Sequence, residues 1–151
     1  MPLLAYTTTI AVEKTAGEIQ RILAAHGARR VVTDFDAQGN PVALSFVVQG
    51  EHGSHGYRLP VNAEGVWRVL TKQREAGKIN YRYATREQAA RTAWRILKEW
   101  TEAQMAILEA GMVALDEVLL PYAIVPTGQT LYQAMTEEQF KMLGSGEGGH
   151  A

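Results

Sequence analysis

The fold class is decided by the stretch RVVTDFDAQGNPVALSFVV, residues 30–48. Apolar and polar residues alternate on both sides of a turn-forming centre, DAQGN at residues 36–40. Such alternation is typical of strands that bury one face, and the centre favours a tight reversal of the chain. We therefore predict a β-hairpin. The face of its second strand predicted to be buried carries Val42, Leu44, Phe46 and Val48.

Two further strands are predicted around this hairpin. Strand-forming residues predict one at residues 6–12, and a shorter one is predicted at residues 57–60. Between the first strand and the hairpin, Thr15 and Glu18 have the spacing of a capping box, and Gly27 fits the end of the helix that they would begin. The order strand, helix, strand, strand, strand predicts an α+β fold, in which a mostly antiparallel sheet carries a helix on one face.

The second half of the chain is predicted to be helical. Asn62 is placed to cap a short helix, and Thr85 with Gln88 forms a second capping box. From residue 86 to residue 119 only Gly111 interrupts the helical pattern, at a cost of about 1 kcal/mol. A continuous helix over these residues would be about 50 Å long.

The apolar residues of this long helix form two stripes, of which a small domain needs only one for its own core. The helix would also overhang a domain whose radius of gyration is about 15 Å. We therefore predict a homo-oligomer, most simply a twofold dimer, held by the second stripe. The alternatives are one helix that folds entirely over its own sheet, or two helices broken near Gly111. The second stripe consists of Ala90, Trp94, Met105, Leu108, Met112 and Leu119.

Composition limits the class of protein. The 151 residues include 46% hydrophobic residues and carry a net charge of -1, which fits one folded domain and argues against unaided coating of nucleic acid. We assign residues 1–143 to this domain, with a last short helix at residues 136–143, and residues 144–151 to a disordered glycine-rich tail. The absence of cysteine excludes disulfides and cysteine-ligated metals. No apolar run could span a bilayer, so a membrane partner is not predicted.

No catalytic or metal-binding motif stands out. His52 and His55 lie in a glycine-rich hairpin loop with only Glu51 beside them, and such histidines are usually solvated turn residues. The loop also lacks the lysine and the helix start of a phosphate loop. We therefore predict a protein that is not an enzyme and has neither a metal nor a cofactor.

The cations are more informative. Arg91, Arg95 and Lys98 are spaced so that they share one helix face near the start of the long helix, where the helix dipole already places partial positive charge. One interpretation is a solvated face with local ion pairs; the other is a site for an anion held by helix amides and the arginines. Arg30, Arg58, Tyr81 and Tyr83 are further candidates. The predicted ligand-binding residues are thus Arg91, Arg95, Lys98, Arg58, Arg30, Tyr81 and Tyr83.

The sequence AWRILKEWTEAQ, residues 93–104, resembles the long-helix motif of a family of small bacteriophage proteins whose members mostly have no assigned function. Residues 15–19, 115–122 and 130–132 fit the same family. The resemblance implies a phage origin and action in the host cytoplasm. It transfers no catalytic residue.

Three classes of function follow. The first is the binding of a small phosphorylated ligand, for instance a sponge that sequesters a nucleotide signal of host immunity. The second is an accessory protein of phage replication or recombination that binds single-stranded DNA or a replication protein. The third is a protein-only inhibitor or structural component. We favour the first, because a few converging arginines and aromatic rings can bind a small anion without a large net charge.

Overall fold

The hairpin expected at residues 30–48 forms the first two strands of a three-stranded antiparallel sheet. The computed structural model describes residues 1–50 and 53–138. Its helices are α1 (Val12–Ala25), α2 (Ala63–Glu75), α3 (Arg86–Glu109) and α4 (Leu115–Leu119), and its strands are β1 (Ala28–Phe35), β2 (Pro41–Gly50) and β3 (Gly53–Arg58). Single turns of 3₁₀ helix lie at Tyr81–Tyr83 and Leu120–Tyr122, and residues 131–138 are helical.

The strands lie in the order β1-β2-β3, and both pairs are antiparallel. Phe46 of β2 is opposite Val31 of β1 and Tyr57 of β3, so one row of apolar side chains crosses the sheet on its inner face. The predicted α+β class is therefore confirmed. The third strand was predicted at residues 57–60, but it begins at Gly53, because the glycine-rich loop continues the ladder opposite residues 47–50.

The inner face of the sheet is covered by helices. Ala16, Ile19 and Leu23 of α1 join Leu44, Phe46 and Tyr57 of the sheet and the buried face of α3 in the main core. A smaller core lies between α2 and α3, where Leu70 and Ala89 contact Ile79. The largest buried side chain is Trp94 of α3, which is 1% exposed.

The strand predicted at residues 6–12 is wrong. In its place two turns and an extended stretch run along α3. The Gln88 side-chain amide donates to the Tyr6 and Thr8 carbonyls at 2.8 and 2.9 Å, and the Thr92 hydroxyl donates to the Ala5 carbonyl at 3.2 Å. Backbone groups that a sheet would have satisfied are thus satisfied by side chains of a helix, which strand propensity does not reveal.

The capping box predicted at Thr15 and Glu18 is also wrong. Helix α1 begins at Val12 and its cap residue is Ala11, four residues before Thr15, so the Thr15 amide already donates to the Ala11 carbonyl. Thr15 is fully buried and Glu18 bonds to Arg95 of α3. By contrast, the predicted caps at Asn62 and Thr85 are confirmed, since their side chains accept from Gly65 N and Gln88 N.

The long helix is not continuous to residue 119. It ends at Glu109, and Gly111 adopts a φ of 70°, so that its amide bonds to Leu108 and the Met112 amide bonds to Ile107. This is the Schellman arrangement that ends helices at glycine. At 24 residues α3 is about 36 Å long, which fits within the domain.

The stripe that we assigned to a partner helix belongs mostly to the chain's own core. Trp94, Met105 and Leu119 are buried in the main cluster, and Leu108 packs against it. Leu119 reaches this cluster because the chain folds back after Gly111, and Tyr122 places its ring edge-on to Trp100 at 5.5 Å. Met112 is 72% exposed. The prediction of an oligomer held together by the long helix was based on an exposed second stripe, and most of that stripe is not exposed.

Within residues 1–50 and 53–138, no helix combines the length and apolarity needed to cross a membrane. The tail predicted at residues 144–151 lies outside the described residues. The same holds for most of the helix predicted at residues 136–143, although helical structure begins before it, at residue 131.

We predict that replacement of Gln88 by Ala lowers the free energy of unfolding by about 2–4 kcal/mol, because two backbone carbonyls and the Arg91 side chain lose their partner. Chemical denaturation measures this change. The matched control is Gln104→Ala on the same helix, whose side chain has no hydrogen bond within the described residues. Equal effects of the two substitutions would contradict the role of Gln88.

We predict that Tyr57→Phe lowers the free energy of unfolding by about 1.5–3 kcal/mol, because the Tyr57 hydroxyl donates to the Asp116 carboxylate at 2.6 Å. Burial, followed by this bond, raises the pKa of Tyr57. The unfolded chain therefore ionises first, and this contribution is lost as the pH rises above the ordinary range of tyrosine.

Denaturation at neutral and alkaline pH checks both statements for Tyr57. The control is Tyr81→Phe, since Tyr81 is 77% exposed. If Tyr57→Phe has no larger effect than the control, the bond to Asp116 does not stabilise the fold.

Candidate functional site

A cleft of about 480 Å³ opens where three helices begin. The first turn of α1 contributes Ala11 and Glu13, and the start of α2 contributes Ala63. The first three turns of α3 provide one wall, with Trp94 among its residues, and the turn between β1 and β2 provides another. The cleft therefore joins segments that are far apart in the sequence, and its size is that of a small-molecule site.

The start of α1 differs from the other two helix starts at the cleft. Asn62 and Thr85 cap α2 and α3 with their side chains, whereas the cap residue of α1 is Ala11, which has no side-chain hydrogen bond to offer. The first amides of α1 thus have no side-chain cap, and Ala11, Val12 and Glu13 all line the cleft. Amides at a helix start carry partial positive charge and bind anions.

Arg91 lies on the α3 wall of the cleft and is half-buried. Its Nε and Nη2 donate to the Gln88 side-chain oxygen at 3.1 and 2.7 Å, so the guanidinium is held by a neutral group. Among the described residues, no carboxylate lies within 4.0 Å of it. Its positive charge is therefore fixed in position at the cleft and is not neutralised by an ion pair.

Arg86, the first residue of α3, also lines the cleft. It forms an ion pair with Glu64 of α2, and its guanidinium lies 4.2 Å from the centre of the Trp67 ring. Both members of the ion pair are more than half exposed, so the pair is free to open towards a ligand.

Carboxylates also line the cleft. Glu13 and Glu87 are exposed on the first turns of α1 and α3. Asp36 accepts from the amides of Asn40 and Gln38 at 2.9 Å, and these bonds lower its pKa, so it serves the β1–β2 turn in the ionised form. The lining is therefore mixed in charge. Its amides and arginines can bind an anionic group of a ligand, and its carboxylates can accept hydrogen bonds from donors of the same ligand.

Of the seven predicted ligand-binding residues, Arg91 is the one that lines this cleft in the described part of the chain. Arg95 faces α1, where its Nη1 donates to Glu18 at 2.7 Å and to the Thr15 hydroxyl at 3.4 Å. Lys98 pairs with Glu102 one turn further along α3, at 2.6 Å. Both cations are thus paired with carboxylates of the chain itself: Lys98 locally, as one interpretation expected, and Arg95 with another helix.

The other four predicted residues lie elsewhere. Arg30 and Arg58 flank β2 on the outer face of the sheet, opposite Val47 and Ser45. Tyr81 is exposed in the 3₁₀ turn before α3. The structure thus does not bring these residues to one site.

Tyr83 is engaged within the chain. Its ring contacts the edge of Tyr6 at 5.2 Å, and its hydroxyl accepts from Arg82 at 2.7 Å. It is therefore not available as a platform for a base.

The cleft itself was missed by sequence reasoning. Ala11 and the β1–β2 turn carry no ligand-binding signature, and the misplaced capping box at Thr15 moved the expected start of α1 away from Ala11. Among residues 1–50 and 53–138, no three carboxylate or histidine side chains are grouped to hold a metal. His55 is exposed on β3, whereas Glu51 and His52 lie outside the described residues.

Comparisons of the chain with protein-family models, with curated proteins and with solved structures found no match. The resemblance of residues 93–104 to phage proteins therefore stays a prediction.

We predict that Glu18→Gln lowers the free energy of unfolding by about 1–2 kcal/mol at neutral pH, because the bond from Arg95 is charge-assisted and partly buried. That bond lowers the pKa of Glu18. The stabilisation is therefore present above the ordinary range of glutamate and is lost as the pH falls through the lowered pKa.

Denaturation from neutral to acidic pH measures this difference. The control is Glu102→Gln, whose partner Lys98 is on the same helix; there we expect at most about 0.5 kcal/mol. A difference between wild type and Glu18→Gln that persists unchanged into strong acid would show that the charge of Glu18 is not its cause.

Proposed function

We propose that this protein binds a small phosphorylated ligand in the cleft between the starts of α1, α2 and α3, and that it does not transform that ligand. The observation that carries the proposal is the uncapped start of α1 opening into the same cleft as Arg91. Amides of a helix start and a guanidinium both bind phosphate in proteins.

Several features of the cleft support this assignment. Its volume of about 480 Å³ lies within the range of small-ligand sites. Residues at the starts of α1, α2 and α3 line it, and the partial positive charge of a helix start favours an anion. Arg91 is positioned by Gln88 before any ligand arrives, so less side-chain entropy is lost on binding than for a free arginine.

The mixed lining favours a nucleotide over a simple anion. A bare phosphate would meet repulsion from Glu13 and Glu87. In a nucleotide, sugar hydroxyls and base amino groups are donors that these carboxylates can accept, while the phosphate is held by the α1 amides and Arg91. The proposed ligand class is therefore a nucleoside phosphate.

Given the resemblance to bacteriophage proteins, we propose that the protein sequesters a nucleotide signal of host immunity in the host cytoplasm. Sequestration needs binding without turnover, so incubated ligand should be recovered unchanged by chromatography. Binding of single-stranded DNA is the competing function, and it would follow the phosphate backbone with a strong dependence on salt.

We predict that Arg91→Met weakens nucleotide binding by roughly ten- to hundredfold, because a charge-assisted hydrogen bond is lost. Calorimetric titration of the full chain with inorganic phosphate, nucleoside mono- and diphosphates, cyclic nucleotides and short single-stranded DNA measures this. The control is Arg58→Met on the outer face of the sheet, which should bind as the wild type does. If none of these anions binds the wild-type protein, the proposed function is wrong.

We further predict that Ala11→Asp affects stability and binding in opposite directions. Ala11 has the extended backbone of a helix cap, so an aspartate there can cap α1 and raise the free energy of unfolding by about 0.5–2 kcal/mol. The same carboxylate occupies the amides intended for the ligand, so affinity should fall.

Thermal denaturation and titration of one preparation test both effects of Ala11→Asp. The control, Ala11→Asn, caps the helix without charge and should weaken binding less. A more stable Ala11→Asp protein that binds as tightly as the wild type would show that the start of α1 is not the anion site.

A further inference from the structure

Strand β1 is an open edge of the sheet. The strand order places it outermost, whereas the opposite edge is covered in part, since Tyr57 of β3 bridges Ala123. Alternate residues of an edge strand direct their N–H and C=O groups away from the neighbouring strand. Within the described residues, no group outside the sheet bonds to the backbone of residues 30–34. These groups are available to another strand.

The regularly paired part of β1 carries opposite charges at its two ends. Irregularities in register before Arg30 and after Asp34 leave five residues in continuous pairing with β2, namely Arg30-Val31-Val32-Thr33-Asp34. Val31 packs against the main core and Thr33 bonds to Gln20 of α1, so these two side chains are on the inner face. By alternation Arg30, Val32 and Asp34 share the outer face.

An antiparallel pair of two such strands, centred on Val32, matches opposite charges. Arg30 of each chain is then directly opposite Asp34 of the other, on the same face, and Val32 faces its counterpart. Arg30 and Asp34 are exposed, and within the described residues of one chain neither takes part in an ion pair. Their only complementary partners in this arrangement are therefore those of a second copy.

We propose that β1 pairs with β1 of a second copy of this chain, so that two three-stranded sheets join into one of six strands. The twofold axis passes beside Val32, and the contact is closed, because both copies use the same surface for it. This surface is different from the second stripe of α3, most of which belongs to the core. It is also separate from the cleft, so the proposal does not rest on the proposed function.

The test reverses the charges one at a time and then together. Sedimentation equilibrium of the full chain, without added ligand, should show a dimer for the wild type. Arg30→Asp and Asp34→Arg should each weaken the dimer by roughly tenfold or more, because like charges then face each other. The double variant Arg30→Asp/Asp34→Arg restores both pairs and should recover the wild-type dissociation constant.

Three further measurements show whether the effect is specific to this edge. Arg58→Asp changes a charge on the same face but away from the edge, and it should leave the dimer unchanged. Hydrogen exchange of the amides of residues 30–34 should slow as protein concentration rises. Far-ultraviolet circular dichroism confirms that each variant folds.

A wild-type protein that stays monomeric at all concentrations overturns this pairing. The edge of β1 would then be open to a strand of a different protein. A dimer that is unaffected by either single reversal overturns it as well, because its interface must then lie elsewhere.

Discussion

The side-chain amide of Gln88 connects the amino-terminal segment, which is neither strand nor helix, to α3. Its nitrogen donates to the carbonyls of Tyr6 and Thr8, and its oxygen accepts from Arg91. Both ends of the amide are therefore bonded, which fixes its orientation. Gln88 is 5% exposed, and a buried amide left without partners is costly. Together with the bond from the Thr92 hydroxyl to the Ala5 carbonyl, this group holds the segment before α1 against α3.

The sheet and the capped helices were predictable because their signals are local. Alternation over residues 42–48 specifies a strand face, and Asn62 and Thr85 cap helices within three residues of themselves. The end of α3 at Gly111 was visible as an alternative, since glycine alone adopts a φ of 70° without strain. Most of the stripe predicted to bind a partner belongs to the main core instead, and helical spacing alone does not reveal which stripe the chain's own core uses.

The start of α1 shows where local signals conflict. Val12, Ala16, Ile19 and Leu23 repeat at helical spacing and point to a helix from residue 12. The pair Thr15 and Glu18 fits a capping box equally well, and only the fold shows that both side chains are needed by Arg95 instead. For the same reason the cations of α3 could not be sorted from sequence, because what separates Arg91 from Arg95 is a carboxylate 77 residues away in the chain.

The attachment of the first residues to α3 also constrains the order of events during synthesis. Tyr6 and Gln88 are separated by 82 residues, so the amino-terminal segment is made long before its partner. At a rate of about 5–20 residues per second, it waits roughly 4–16 s on the ribosome. Throughout that interval, its strand-forming threonines have no helix to lie against. Leu3 and Tyr6 of this segment pack against the smaller core only once α3 has been made, so the amino-terminal end of the domain is ordered late although it is synthesised first.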